Sequence, residues 1–442
     1  MDVIVGGGVV GLSIAWRLTR EGRPVTVVDP APAGGASHAA AGMLAPVSEV
    51  TYTEGPLLRL GVASLRRWPS FAAELAADAG FSAADPGLPS PGGRAAGDVD
   101  PGVSGGLAGD GAGGGFGISA RARAGLDLRA DGTLDVAFGA DDLAALDELA
   151  AFMDKLGLRV ERLTGRECRR LEPMLAPSVR GGLLAPGDAW VDPRRVTAAL
   201  LTALDRLGVP LVRARASGLL RDGERVAGVR LADPEQPGPG WRPEIRGDRV
   251  ILAAGVWSTE LADVPVRPIK GQIMRLRSPQ PLLSRCVRGT VHGSPVYLVP
   301  RGDGELVVGA TQEELGFDTR VTAGGLYELL RDARELVPGV TELEVADVVA
   351  GLRPGTPDNL PLIGPARTPG LVLATGHHRG GVLLAPLTAA LVSDAVAADT
   401  AGGPAAFPGA GGAGGGGAAD AAVGDDGELA ELCSPERFRE IS

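Results

Sequence analysis

The chain has 442 residues, enough for two domains or one large interwoven unit. Its 43 Lys and Arg against 54 Asp and Glu give a formal charge of −11, which argues against a general nucleic-acid partner or an anionic membrane surface. Three scattered cysteines (Cys168, Cys286, Cys433) without C-x-x-C spacing, and only four histidines, point to reduced thiols and away from a disulfide framework or a histidine metal centre. No apolar run of membrane length is free of charge or proline, and a strand starting at residue 2 leaves no place for a secretory signal, so a cytoplasmic location is expected.

The N-terminus carries the strongest local signal. A short apolar strand (Val3, Ile4, Val5) runs into a glycine turn in which Gly6, Gly8 and Gly11 fit G-x-G-x-x-G. The spacing predicts a helix from Val9 to Glu21, then a strand Val25 to Val28 ending in Asp29. The first glycine of such a turn allows the tight bend, the second lets backbone approach a pyrophosphate, and the third brings helix close to strand. Asp29 lies where an acid can accept hydrogen bonds from a ribose. The run from Gly34 to Pro46, including Ala36, Ser37, Ala41, Gly42 and Met43, is built of small residues that let backbone press against a flat ligand.

Leu57 to Ala79 reads as a helix, and Pro86 to Gly117 as a disordered surface insertion. Leu126 to Phe138 is expected to form a hairpin around Asp131-Gly132, followed by a helix over Ala140 to Leu156 and a capping box Thr164-x-x-Glu167. Asp192 is placed to cap a helix over Val196 to Leu207. Strands are expected at Val209 to Val212, Ser217 to Leu220, Val226 to Leu231 and Arg249 to Ala254, with a hydrophilic turn at Gln236 to Arg242. Further strands follow at Val266 to Leu276, Val296 to Val299 and Leu306 to Ala310, then a helix from Gly324 to Leu336. Arg353 and Arg379 fall in Gly- and Pro-rich segments read as turns, the second opening the last long helix. Gly402 to Gly417 is low-complexity linker or tail.

An arginine fork holds a carboxylate in a way lysine cannot, so Arg353 and Arg379 are candidates for substrate binding, although a structural ion pair is the commoner role of an arginine. Tyr297 sits in a strand, where core or rim is the ordinary role. His377 and His378 lack the neighbours that acid–base work would need, and a backbone role for that turn fits better.

The strings Ala36 to Pro46, Arg267 to Gln272, Tyr297 to Thr311, Gly351 to Gly364 and Ala374 to Pro386, with Val5 to Leu12, resemble the FAD-dependent amino acid oxidases of the D-amino acid oxidase superfamily, and most of all the glycine oxidases of thiamine biosynthesis. The resemblance implies an α/β fold, a Rossmann-like FAD-binding domain with an inserted, mainly antiparallel β-sheet substrate domain. The cofactor domain would comprise 1–80 with 140–260 and 351–400, and the substrate domain 118–139 with 261–350. A glycine-rich insertion (86–117) and a low-complexity tail (401–442) lie outside both.

Carried over by position, the resemblance implies that Gly6, Gly8, Val9, Val10, Gly11 and Asp29 hold the adenosine diphosphate part of FAD. Ala36, Ser37, Ala41, Gly42 and Met43 would line the pyrophosphate and flavin, and Ala216 would meet the adenine. His377, His378, Arg379, Gly380, Gly381, Val382 and Leu383 would wrap the flavin. Arg353 would clamp the substrate carboxylate, Arg379 would lie near substrate and cofactor, and Tyr297 would border the amino acid. The implied reaction is oxidative deamination of glycine or a similar small amino acid by O₂, by hydride transfer to flavin, supplying an imine for thiazole synthesis. The implied assembly is a homotetramer.

Pro295 and Gln312 depart from residues carried by some relatives and flank the expected pocket, which leaves sarcosine and small D-amino acids open as substrates, and a dehydrogenase open as the activity. A flavin-binding protein without turnover is a further alternative. FAD is expected to be non-covalent, because no cysteine lies between Cys286 and Cys433 and His38 does not have the spacing of an attachment histidine.

Overall fold

The structure, a computed structural model, describes residues 1–49, 54–81, 117–232, 242–400 and 424–438. The insertion expected over 86–117 lies outside these residues apart from Gly117, as do the turn expected at 236–242 apart from Arg242 and the run 402–417.

Two sheets set the architecture. The first has six strands in the order Leu362–Pro365, Leu371–Thr375, Arg249–Leu252, Asp2–Val5, Val25–Val28 and Leu211–Val212. Its pairings are parallel except for that of Leu362–Pro365. Asp2–Val5 lies between two parallel neighbours and is buried throughout, as expected of a strand covered on both faces. The helices Val9–Arg20, Gly55–Asp78, Pro193–Arg206 and Ala385–Thr400 bury Leu12, Trp68, Leu200 and Leu391 in one core with Ile4 and Ile251. Asp192 caps its helix as predicted, its Oδ1 accepting from the Arg194 amide at 2.9 Å, and the Thr164–Glu167 capping box forms.

The second sheet has eight strands in the order Glu344–Gly355, Arg267–Arg277, Glu305–Gly309, Ser294–Pro300, Cys286–Val291, Thr133–Ala137, Gly181–Ala185 and Glu161–Thr164. It is antiparallel apart from the pairing of Cys286–Val291 with Thr133–Ala137. The fold is therefore the expected one, a mainly parallel sheet with an inserted, mainly antiparallel sheet.

Several sequence expectations change. No hairpin forms around Asp131-Gly132: Ala120–Leu126 is helical, and Thr133–Ala137 pairs with distant strands on both sides. Glu161–Thr164 and Gly181–Ala185, from the stretch assigned to the cofactor domain, join the eight-stranded sheet. Arg353 lies within a twelve-residue strand, Glu344–Gly355, rather than in a turn. The last part of the tail is structured as well. The helix Asp426–Leu432 buries Leu429 and Ala430 in the main core, and Arg437 ion-pairs with Asp358 at 2.7 Å.

Candidate active site

A cavity of about 770 Å³ runs between the two sheets. At one end it is lined by backbone. Gly6 turns at φ +115°, and a Cβ there would lie 2.3 Å from the Ala253 carbonyl oxygen. A Cβ on Gly11 would lie 1.9 Å from the Gly6 oxygen, so the helix is held as close to its strand as the glycine spacing implies. Gly8 is the N-cap and supplies no side-chain cap, which leaves the positive end of the helix facing the cavity. Ser37 Oγ accepts from the Val9 amide at 2.9 Å. Asp29 lines the cavity, and its carboxylate accepts from the Gly7 amide at 2.6 Å and the Ala31 amide at 2.7 Å.

The small-residue run forms the cavity's middle. Ala36, Ser37, Ala41, Gly42 and Met43 all line it. Gly42 turns at φ +78° against the Val191 carbonyl. Arg301, buried just past the strand Ser294–Pro300, donates to the carbonyls of Ala41 and Val191 and so fixes this segment from across the interface. Gly351 lets the second sheet approach, since a Cβ there would meet the Ala39 Cβ at 2.7 Å.

The other end is built of side chains. Arg353 lies directly opposite Ile269 in register, and its guanidinium lies over Gly271, where a Cβ would sit 2.4 Å from Nη2. It donates to the Thr311 carbonyl at 3.2 Å. Tyr297 pairs with Gly309, whose missing side chain makes room for the phenol ring. Burial pushes the Tyr297 hydroxyl up to about 12 against the pull of Arg353, so it stays protonated. Arg379 donates to the Glu54 carboxylate and to the Glu49 carbonyl, the latter at 3.2 Å. Asn359 holds the other oxygen of Glu54 at 3.0 Å. Arg379 is thus already paired, whereas Arg353 has no carboxylate partner among the described residues.

His377 and His378 are held neutral. Burial lowers His377 to about 3, and its Nε2 meets Thr388 Oγ1 at 2.9 Å. Burial, then Arg379, lowers His378 to about 4. The turn therefore offers backbone and shape rather than a proton carrier.

The cavity brings together nearly all the residues singled out from the sequence: Gly6, Gly8, Val9, Val10, Asp29 and Ala216 with His377, His378, Arg379, Gly381 and Val382, and with Tyr297 and Arg353. Three do not reach it. Gly11 packs against Gly6 behind the turn, and Gly380 and Leu383 face a separate cavity of about 30 Å³. Pro295 and Gln312 line the main cavity, as the sequence suggested. Sequence reasoning missed Glu49, Glu54 and Arg288. Glu49 lies only three residues beyond the Ala36 to Pro46 string, and Arg288 sits in a strand whose Arg and Gly break the apolar pattern.

A family model described as DAO, FAD dependent oxidoreductase, matches residues 3–88 and 117–395. The chain belongs to this family of FAD dependent oxidoreductases. It is 32% identical over 404 residues to a bifunctional protein ThiO/ThiG of Nostoc sp., covering 89% of this chain and 52% of that one. It is 31% identical over 412 residues to a glycine oxidase of Geobacillus kaustophilus, covering 89% and 92%. The crystal structure of glycine oxidase from Geobacillus kaustophilus superposes with a TM-score of 0.73 at 29% identity, covering 89% of this chain and 93% of that one. The chain thus spans about half the length of the bifunctional relatives it matches.

The residues fit the cofactor that names the family. A helix start whose N-cap glycine brings no side chain, two glycines whose Cβ positions are filled by backbone and a lining of small residues suit a dinucleotide pressed along the chain. Among the described residues no helix is long and apolar enough to cross a membrane, and no cluster of metal-binding side chains occurs. The three cysteines are buried and unpaired.

Proposed function

We propose that this chain is an FAD-dependent oxidase of glycine or a similarly small amino acid. It converts amino acid, O₂ and H₂O to 2-oxo acid, NH₃ and H₂O₂, and its imine product serves thiazole synthesis in thiamine formation. The observation that carries this reading is Arg353: an arginine without a carboxylate partner among the described residues, lying over Gly271 beside Tyr297, in the same cavity as the dinucleotide glycines.

Arg353 holds the substrate carboxylate by its two-pronged fork. Tyr297, protonated, borders the same group. Gly6, Gly8, Val9, Val10 and Asp29 hold the adenosine diphosphate part of FAD. Ala41 to Met43 and the turn from His377 to Val382 hold its ring system. Bound FAD supplies the hydride acceptor, so the chain's task is to orient the α-carbon and exclude water. Neutral His377 and His378 add no competing charge beside the ring. The fused relatives named ThiO/ThiG support the thiamine role, and the buried, unpaired thiols are consistent with a reducing cytoplasm.

The test is a peroxide-coupled assay of FAD-loaded protein across glycine, sarcosine, D-alanine and D-proline. Glycine or sarcosine is expected to give the highest kcat/KM. Absence of both peroxide and flavin bleaching with all four would overturn the reading, while bleaching with little peroxide would make the chain a dehydrogenase.

A further inference from the structure

Charge pairing at the substrate end leaves two groups over. Arg379 is engaged by Glu54, and Arg288 by Asp135 at 3.3 Å and the Ser48 carbonyl at 2.8 Å. Arg353 has no acidic partner, and the Glu49 carboxylate has no hydrogen bond or ion pair among the described residues. Both line the cavity, one on the second sheet and one on the loop that follows the small-residue run. One unmatched cation and one unmatched anion in a single cavity match the two charges of an amino acid zwitterion.

Resting on the oxidase reading above, we propose that Glu49 receives the substrate's amino group and takes its proton. The ammonium N–H bond breaks and a carboxylic O–H bond forms on Glu49. This leaves a neutral amine whose lone pair would become the C=N bond when the α-C–H hydride is lost, bound FAD being the group that would accept it. One proton moves to Glu49, the hydride would go to bound FAD, and the product would leave as the protonated imine.

Glu49 sits among groups of both signs. Arg288, Tyr297 and Cys286 of the second sheet and Asp188 beneath the loop all feel its charge. Arg379 donates to its carbonyl rather than its carboxylate, and its ion pair is with Glu54. Asp188 accepts from the amides of Val47 at 3.3 Å and Ser48 at 3.1 Å, which anchors the loop just before Glu49.

The test compares glycine with glycolate, which keeps the carboxylate but lacks the amine, in FAD-loaded wild type, Glu49→Gln and Glu49→Asp. Glycolate binding is read from the flavin absorbance, and glycine from KM and from anaerobic flavin reduction between pH 6 and 9. Glu49→Gln is expected to weaken glycine about ten-fold while glycolate changes less than about two-fold. Its reduction rate should rise about ten-fold per pH unit, whereas the wild-type rate stays nearly flat. Glu49→Asp should recover part of both effects. Equal weakening of both ligands, no weakening of either, or identical pH profiles in wild type and Glu49→Gln would overturn the proposal. If wild type does not oxidise glycine, the oxidase reading fails by itself, and glycine binding is then read from the flavin absorbance in the same way as glycolate.

Discussion

The two ends of the cavity are made by different means. At the dinucleotide end the lining is largely backbone, and what matters is the absence of side chains: a Cβ on Gly6 or Gly11 would collide with backbone. At the substrate end the lining is charged and aromatic, and each group is positioned by a partner far away in sequence, such as Glu54 on Arg379 or Gly271 under Arg353. A backbone cradle tolerates almost any neighbour that leaves its space empty. A charged pocket depends on which charges are already paired, because an unmatched buried charge is costly until a ligand meets it. Binding of FAD and choice of substrate should therefore fail separately.

Gly11→Val tests the first end most severely. Its Cβ would start 1.9 Å from the Gly6 oxygen, against backbone that cannot rotate away. FAD retention on desalting is expected to drop by more than about 100-fold, with a lower Tm, since overpacking of this kind costs roughly 1–3 kcal/mol or more. Gly218→Ala, at a position with open space, is the control. Full FAD content in Gly11→Val would show that the close helix–strand approach is dispensable.

Arg353→Ala tests the other end. It should keep the flavin spectrum and lose about 10²–10³-fold in kcat/KM for glycine, the scale of a charge-assisted carboxylate clamp at roughly 3–4 kcal/mol. Unchanged KM and kcat would remove Arg353 from the substrate site. A loss of FAD along with activity would instead break the separation of the two ends.

This separation also accounts for what the sequence disclosed. The dinucleotide end was legible because its determinants are local: a strand, a glycine spacing and a helix within Asp2 to Arg20. Arg353 and Tyr297 are singled out as candidates through family strings, but the fragment around Arg353 reads as a turn. Gly351, Pro354 and Gly355 look like breakers, and only pairing with Arg267–Arg277 makes the segment a strand. Thr133–Ala137 was misjudged for a related reason, since its partners lie about 50 and 150 residues further on. The role of Glu49 was hidden because it comes from what its neighbours already bind. No local pattern records that Glu54 occupies Arg379 and Asp135 occupies Arg288.

The smallest expected effect concerns how the charged end is supported. Asp188 is fully buried beneath the loop that carries Glu49, and burial raises its carboxyl from 3.8 to about 6 despite the amides of Val47 and Ser48. Between 3.8 and about 6 the folded chain keeps a proton that the unfolded chain has released. Stability from this group therefore falls as pH rises through that window and is level above it. Asp188→Asn removes the dependence. The variant's Tm relative to wild type should rise between pH 4 and pH 7. The change is bounded at about 3 kcal/mol by the displaced carboxyl and is expected nearer 1, because relaxation around a buried charge lessens its cost. The dinucleotide end has no share in this effect, so FAD retention should be the same in both proteins at pH 7. A Tm difference that does not change with pH would mean that the ionised carboxylate is as well accommodated under the loop as the neutral one.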